Sequence, residues 1–540
     1  HTWRARDVEH AIGWNERAGD HAHALFAHAD AARHYARACE LAGDRLQHAQ
    51  LAEKAAEALY ATGDVAAAVA RVSEAIALAG EADRRRLSLR KAYLLFDQGR
   101  YDESLEEARR VVAELGDEDS PLRFDAETIA AGLLSARGRP AEALIHLERA
   151  EQLSARGQTI SSARFAGNFG YALGLLGRTD EARARFAESV REARERNDID
   201  VLVRALNNQG IVELAHGSLG VARTLYADGL ELAQSTNNLR FVAWLSQNAA
   251  FAALLGGDLA AARQYLARCD AIRHDVGTVS RWALATAMRC ATLIADDDPE
   301  LRATVRATAR AAVADGDAAG AACLAGALAL DLLHRGLVDE AAGIVAEALP
   351  SVTRADPPYW LHDAAGRCAA PKLRAAARAT LAAAADLPGA QAARGFLALS
   401  DAREALRKRR ADARGLAASA VGAFRAAGWR TEEAFALETA GRTAEAVALF
   451  RAIGAVAEVR RLTETTGAPR RRGEATLTPR EREIASLLAA AGATKDIAAK
   501  LTISERTVES HTAAIYRKLG VSTRADLARL LEEAAAPAAR

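Results

Sequence analysis

The sequence predicts an all-α protein, a superhelical solenoid of helical hairpins followed by a small, separate helical domain. Three observations predict it. Half of the residues are hydrophobic but only 5% are aromatic, so the apolar content is chiefly Ala and Leu, both strong helix formers. The length of 540 residues exceeds the roughly 250 to 300 residues that one hydrophobic core supports. A four-position signature recurs about every 40 residues, and repetition lets a chain this long dispense with a single core.

The signature has internal steps of 7, 5 and 4 residues. It reads Ala131, Gly138, Ala143, Leu147; then Gly170, Gly177, Ala182, Phe186; then Gly210, Gly217, Ala222, Tyr226; then Ala250, Gly257, Ala262, Leu266. Successive sets are offset by 39, 40 and 40 residues. The same frame fits Ala56, Gly63, Ala68, Val72, then Ala329, Gly336, Ala341, Val345, and finally Ala434, Gly441, Ala446, Phe450. The central Gly supplies the left-handed conformation that ends a first helix. A second helix follows, as in residues 180–198, with apolar residues three and four apart. Small residues on either side of the Gly let the two helices approach, and the larger residue fills the space between them. A lone hairpin cannot bury its apolar face, but stacked hairpins can. A turn missing from the frame is expected near residue 297, where ADDDPE (295–300) carries turn-forming residues. Beyond Gly336 the frame loosens, with turns expected at Pro371 and at RKRRAD (407–412). A short last unit is expected to end near residue 462.

These units resemble tetratricopeptide repeats, whose order of small residue, Gly, Ala and aromatic is matched at Gly170, Gly177, Ala182 and Phe186. Their period of 39–40 residues exceeds that family's 34 and implies helices longer by about a turn. HEAT-like repeats have a nearer period but lack the spacing pattern.

The segment ETTGAPRRRGEA (464–475) breaks the pattern and reads as a linker over 463–475. Its Arg470, Arg471 and Arg472 are read as solvated charge, with a phosphate-touching arm as the alternative. Four helices follow in residues 476–540. Thr478, Pro479 and Glu481 form a capping box with Pro at the first helical position. Ile484, Leu487 and Leu488 make that helix's apolar face. A short helix over 494–501 carries Ile497, Ala498 and Leu501. Thr502, Ile503 and Ser504 turn the chain, and Ser504 caps a third helix over 505–519. Val508, Ile515 and Leu519 are its inner residues. Thr523 and Asp526 form a second capping box for a helix carrying Leu527 and Leu530. A short helix, a tight turn and a longer helix suit the major groove of duplex DNA. The region is also locally basic. Over residues 470–530, nine Arg and three Lys oppose five Glu and two Asp, so 12 minus 7 gives +5.

The whole chain, by contrast, carries 71 basic and 71 acidic residues, which excludes a protein that coats nucleic acid along its length. Five widely spaced cysteines with no C-x-x-C pair argue against a disulfide framework or structural zinc and fit a reducing cytoplasm. No run of 18 apolar residues suggests a membrane span. The opening HTWRARDVEH lacks the apolar core of a signal peptide and lacks Met. The chain is expected to be the C-terminal piece of a longer protein, or an incomplete record of it. Phosphate-loop, G-x-S-x-G and H-E-x-x-H motifs are absent. His21 and His28 stand two helical turns apart, but no Cys or carboxylate completes a ligand set, so no metal is expected. Trp14, Trp244, Trp282 and Trp360 are expected in the core, or failing that along the groove.

The C-terminal stretch resembles the LuxR-type DNA-binding domain in its LTPRERE opening, KDIAAKL second helix, ISERTVESH third helix and YRKLGV ending. It departs from that pattern at Ala491, where a Gly is usual, and at Ala493, where a capping Ser is usual. The resemblance implies that Glu509, Ser510 and Ala513 face base edges, while Lys495, Thr507, Arg517 and Lys518 lie near phosphates. His511 is assigned either to the backbone contact or to packing. The resemblance further implies duplex promoter DNA and RNA polymerase as partners, and a homodimer through the last helix.

Repeats followed by such a domain resemble the C-terminal part of the large ATP-binding LuxR-type regulators. That implies a transcription regulator in the cytoplasm whose repeats sense an effector or partner protein. The ATPase motif of those regulators is absent from this chain, so no catalysis and no cofactor are expected of these residues. A second reading stays open, in which the repeats are an interaction scaffold and the terminal domain is vestigial.

Overall fold

The computed structural model describes residues 5–98, 100–118, 120–155, 162–272, 281–314, 317–352, 359–467, 477–490, 493–501, 503–519, 521 and 523–528. It separates into two compact units, His1–Val459 and Arg460–Arg540. Regular structure among the described residues is helical throughout, with no strand.

The first unit is a solenoid of antiparallel helical hairpins, each packed on the next. Ser162–Leu175 pairs with Thr179–Glu195, Ile199–Ala215 with Leu219–Ser235, and Leu239–Leu255 with Leu259–Ala271. Every central Gly of the sequence signature has positive φ, from 71° at Gly138 to 92° at Gly63. The small residues ahead of the turn are required by close approach. A Cβ on Gly210 would stand 2.4 Å from the Tyr226 ring. Phe186, Tyr226, Leu147 and Phe450 fill the hairpins and are buried. Leu266 is the exception and stays half-buried.

The turn expected near residue 297 is present. Arg281–Ile294 ends there, Ala295 takes φ 62°, and Pro299–Ala314 begins. The turns expected at Pro371 and at 407–412 are also present, ahead of Pro371–Ala385 and between Gln391–Arg407 and Ala413–Ala427. Gly389, Gly428 and Gly454 make further positive-φ turns that the sequence frame lacked. Helices there shorten to 10 residues in Arg430–Thr439 and Thr443–Ala452, which breaks the period. Val456–Gly467 runs as one helix through the first five residues of the stretch read as linker. Arg470, Arg471 and Arg472 lie outside the described residues.

The solenoid coils until later hairpins touch earlier ones. His28 Nε2 meets the Thr236 carbonyl at 3.1 Å, and Arg204 donates to the Tyr60 hydroxyl at 2.6 Å. Arg240 pairs with Asp97 at 2.5 Å. On the opposite edge, three signature glycines in register abut the returning chain. A Cβ on Gly177 would meet Pro388 at 2.7 Å, on Gly217 it would meet Ala427 at 3.3 Å, and on Gly257 it would meet Ile453 at 2.4 Å. These glycines therefore serve the turn and the closure together.

Trp360 is buried, while Trp244 and Trp282 are half-buried on the inner wall. Trp14 corrects the expectation of a core residue. It is 69% exposed on the first helix, with the Arg17 guanidinium 5.9 Å from its ring. No described helix is long and apolar enough to cross a membrane.

Candidate nucleic-acid interface and repeat cavity

The second unit forms around Ile484, Leu488, Ile497, Val508, Ile515 and Leu527, all buried. Leu487 and Leu501 pack half-buried at its margin. Its helices are Pro479–Ala489, Thr494–Leu501 and Glu505–Leu519, and residues 524–528 are helical as well. Leu530 lies outside the described residues.

Local chemistry sets each helix start. The Glu481 amide donates to Thr478 Oγ1 at 3.2 Å, and the Thr478 amide donates to Glu481 Oε2 at 2.8 Å. Two donors at the start of the first helix are thus satisfied reciprocally. Ser504 accepts from the Thr507 amide at 3.1 Å, which starts the third helix where the sequence placed it. Thr523 and Asp526 repeat the reciprocal cap. Arg480 donates to the Leu501 carbonyl at 2.8 Å and so ties the first helix to the end of the second. The sequence reading missed that bond, because a charged residue on an exposed face carries no periodic signal.

Burial of Val508 and Ile515 turns the opposite face of the third helix outward. Glu509, Ser510 and Ala513 are exposed there. Arg506 is exposed too, one turn ahead of them, and extends the same stripe. It was absent from the residues singled out by sequence. Its position facing away from Val508 was the available signal. Lys495 is exposed on the second helix. Thr507 is half-buried, with its hydroxyl 2.7 Å from Ser504 Oγ. His511 is half-buried. Arg517 and Lys518 belong to the helix's last turns, and their side chains lie outside the described residues. The stripe therefore offers a cation, a carboxylate, a hydroxyl and a methyl in succession. Such a surface can accept from or donate to base edges.

The first unit holds a cavity of about 1270 Å³ on the inner face of the coil. Tyr93, Trp244 and Trp282 line it, along with the half-buried Asn168, Asn208 and Asn248. His362 lies in its wall and is 1% exposed, with neither ring nitrogen hydrogen-bonded. Burial holds its pKa down to about 4. The adjacent Asp363 is pushed up by desolvation, but Arg367 and Arg403 outweigh that and hold it down to about 2. Arg367 Nη2 stands 2.8 Å from Asp363. No group of three or more His, Cys, Asp or Glu among the described residues is placed to hold a metal.

Residues 475–531 match the family described as bacterial regulatory proteins, luxR family. The chain is 42% identical over 64 residues to the tetrathionate response regulatory protein TtrR of Salmonella typhimurium, covering 12% of this chain and 31% of that protein. It is 51% identical over 53 residues to the transcriptional regulatory protein UhpA of Escherichia coli, covering 10% and 27%. The HTH-type transcriptional regulator Mb0914c of Mycobacterium bovis is 42% identical over 64 residues, which span 12% of this chain and 7% of that protein. Among solved structures, the Cut9–Hcn1 complex matches with a TM-score of 0.37 at 11% identity over 97% of this chain and 96% of that one. A Rap protein complexed with competence and sporulation factor matches with a TM-score of 0.36 at 13% identity over 62% and 99%. Residues 475–531 thus form a LuxR-type helix-turn-helix domain, C-terminal to a solenoid of antiparallel helical hairpins.

Proposed function

We propose that the chain is a DNA-binding transcription regulator whose solenoid senses an effector or partner protein and whose terminal domain binds promoter DNA. The carrying observation is the outward stripe Arg506, Glu509, Ser510 and Ala513 on the third helix of a LuxR-type domain. Glu509, Ser510 and Ala513 read bases in this account. Lys495, Thr507, Arg517 and Lys518 meet phosphates. Ala513 can make only an apolar contact, so backbone contacts supply much of the affinity. Support for the sensing role comes from the large cavity inside the coil. RNA polymerase is the partner at the promoter, a second copy docks through the last helix, and the cytoplasm is the site of action.

Selection of duplexes from a random pool by the full chain, across a salt series, tests the reading. Enrichment of one roughly two-fold symmetric site supports it. A flat pool with only salt-sensitive binding overturns it in favour of an interaction scaffold.

A further inference from the structure

Positive charge in this neutral chain is concentrated in two places. The terminal domain is one, at +5 over residues 470–530. Residues 366–414 are the other, where nine Arg and two Lys oppose three Asp and one Glu, so 11 minus 4 gives +7. The whole chain is neutral, so all other residues together carry −12. The fold gathers much of the second excess on one edge of the coil. Pro371–Ala385, Gln391–Arg407 and Ala413–Ala427 run antiparallel to one another. One set of their ends closes the coil, through Pro388 and Ala427. The other set, residues 366–374 and 404–414, lies at the opposite edge. Arg407 donates to the Gly366 carbonyl at 2.6 Å and Arg374 donates to Glu404 at 2.9 Å, which ties the two turns together.

Few carboxylates offset the charge at this edge. Glu404 is shared by Arg374, Lys408 and Arg407, at 2.9, 3.1 and 3.5 Å. Arg410 takes Asp412. Lys372, Arg409 and Arg414 are exposed and have no ion pair among the described residues. Burial, and then the Arg374 charge, hold Arg407 below the usual arginine range. Helix energetics does not account for the pattern. Lys372 and Arg414 stand in the first turns of Pro371–Ala385 and Ala413–Ala427, where the helix dipole disfavours a cation, and neither first turn holds an acid. Arg409 takes φ 54°, a left-handed position that favours glycine. Local rules broken together at one surface point to a function for that surface.

We propose that this edge of the solenoid grips the phosphate backbone of the duplex DNA that flanks the site bound by the terminal domain. The proposal rests on the DNA-binding role given above and adds a second contact to it. Guanidinium groups predominate at the edge, and they pair with phosphate oxygens bidentately. A protein partner docks on an apolar centre, and Leu406 is the one large apolar side chain exposed among the described residues of the two turns. Phosphate contacts need no such centre and impose no sequence requirement.

The test titrates the full chain, across a salt series, with the selected site alone and with the same site extended by two helical turns of arbitrary sequence on each side. The extended duplex should bind at least ~10-fold more tightly at low salt, with a salt slope steeper by about 2–3. Lys372→Glu/Arg409→Glu/Arg414→Glu should remove both differences and leave the short duplex bound as before. The three residues have no ion pair to lose among the described residues, and Glu suits the first turn of a helix, so the variant keeps the fold. Arg149→Glu/Arg194→Glu/Arg263→Glu makes the same change in net charge at exposed sites elsewhere on the solenoid, and it should keep both differences. A parent chain that binds the two duplexes alike overturns the proposal. Loss of the differences in both variants does so too. A Lys372, Arg409 and Arg414 variant that binds both duplexes as the parent does, but alters the output of a reporter driven from the selected site, assigns the edge to an acidic protein and also overturns it. The DNA-binding role of the terminal domain is judged separately, by whether the short duplex is bound in preference to a scrambled one. Random duplexes of the two lengths read the edge even where no site is preferred.

Discussion

Thr431 donates its hydroxyl to the Leu254 carbonyl at 2.7 Å and joins two helices 177 residues apart in the chain. Leu254 belongs to the last turn of its helix, and its carbonyl also accepts from the Gly257 amide at 3.1 Å. Thr431 is 1% exposed, so no water substitutes for it. Thr431→Val keeps the shape and removes the donor. It should lower stability by about 1 kcal/mol, read as an earlier urea midpoint at unchanged slope. An unmoved midpoint would mean that this bond adds nothing to the closure of the coil.

The glycines at the closure separate two costs that usually travel together. Gly257 and Gly441 have φ of 78° and 76°. A Cβ on Gly257 meets Ile453 at 2.4 Å, whereas a Cβ on Gly441 meets nothing within 4 Å. Gly441→Ala should therefore cost only the left-handed penalty, about 1–2 kcal/mol. Gly257→Ala should cost about 1–3 kcal/mol more through overpacking. Adding Ile453→Ala to Gly257→Ala should recover part of that extra loss. Equal losses in the two single variants would remove the closure role from Gly257.

The hairpin frame was legible because one Gly per unit must be left-handed and because fixed partners, such as Phe186 for Gly170, must fit between helices. The helix caps of the terminal domain were legible for the same reason, since Thr478 and Glu481 satisfy each other within four residues. The coil's closure was not legible. Thr431 and Leu254, or Arg204 and Tyr60, are far apart in sequence, and no local period couples them. Trp14 was misplaced by a composition argument, which assigns aromatic area to the interior without knowing which helix face is covered. In the outward stripe of the third helix, Glu509, Ser510 and Ala513 came from family resemblance, while Arg506 becomes visible only once Val508 is seen to point inward.

His362 should make the solenoid acid-sensitive. Burial lowers its pKa from 6.5 to about 4. The unfolded chain therefore binds a proton between those values that the folded chain refuses. Stability is full above pH ~6.5 and falls as pH drops toward ~4, by up to about 3 kcal/mol from this group. Asp363 acts in a lower window, since its depressed pKa contributes stability that is lost only from 3.8 downward to about 2. His362→Phe removes the titrating group while keeping a flat ring. Urea midpoints at pH 7 and 4.5 should differ less in the variant than in the parent chain. The same difference in both would place the acid sensitivity elsewhere.

Lys495 and Ser510 should fail in different ways when substituted, because the proposed function gives one a phosphate and the other a base edge. Lys495 is exposed in the first turn of the second helix. Lys495→Ala should weaken binding to selected and random duplexes by the same factor and lower the salt slope by about 1. Ser510→Ala should leave the salt slope alone and relax the preference at one base position, with discrimination falling by about 1–3 kcal/mol. Arg506→Ala decides the role of the residue that sequence did not single out. A change in slope assigns Arg506 to phosphate, and a change in preference assigns it to a base edge. If neither quantity moves for Arg506 or for Ser510, the outward face of the third helix is not the reading surface.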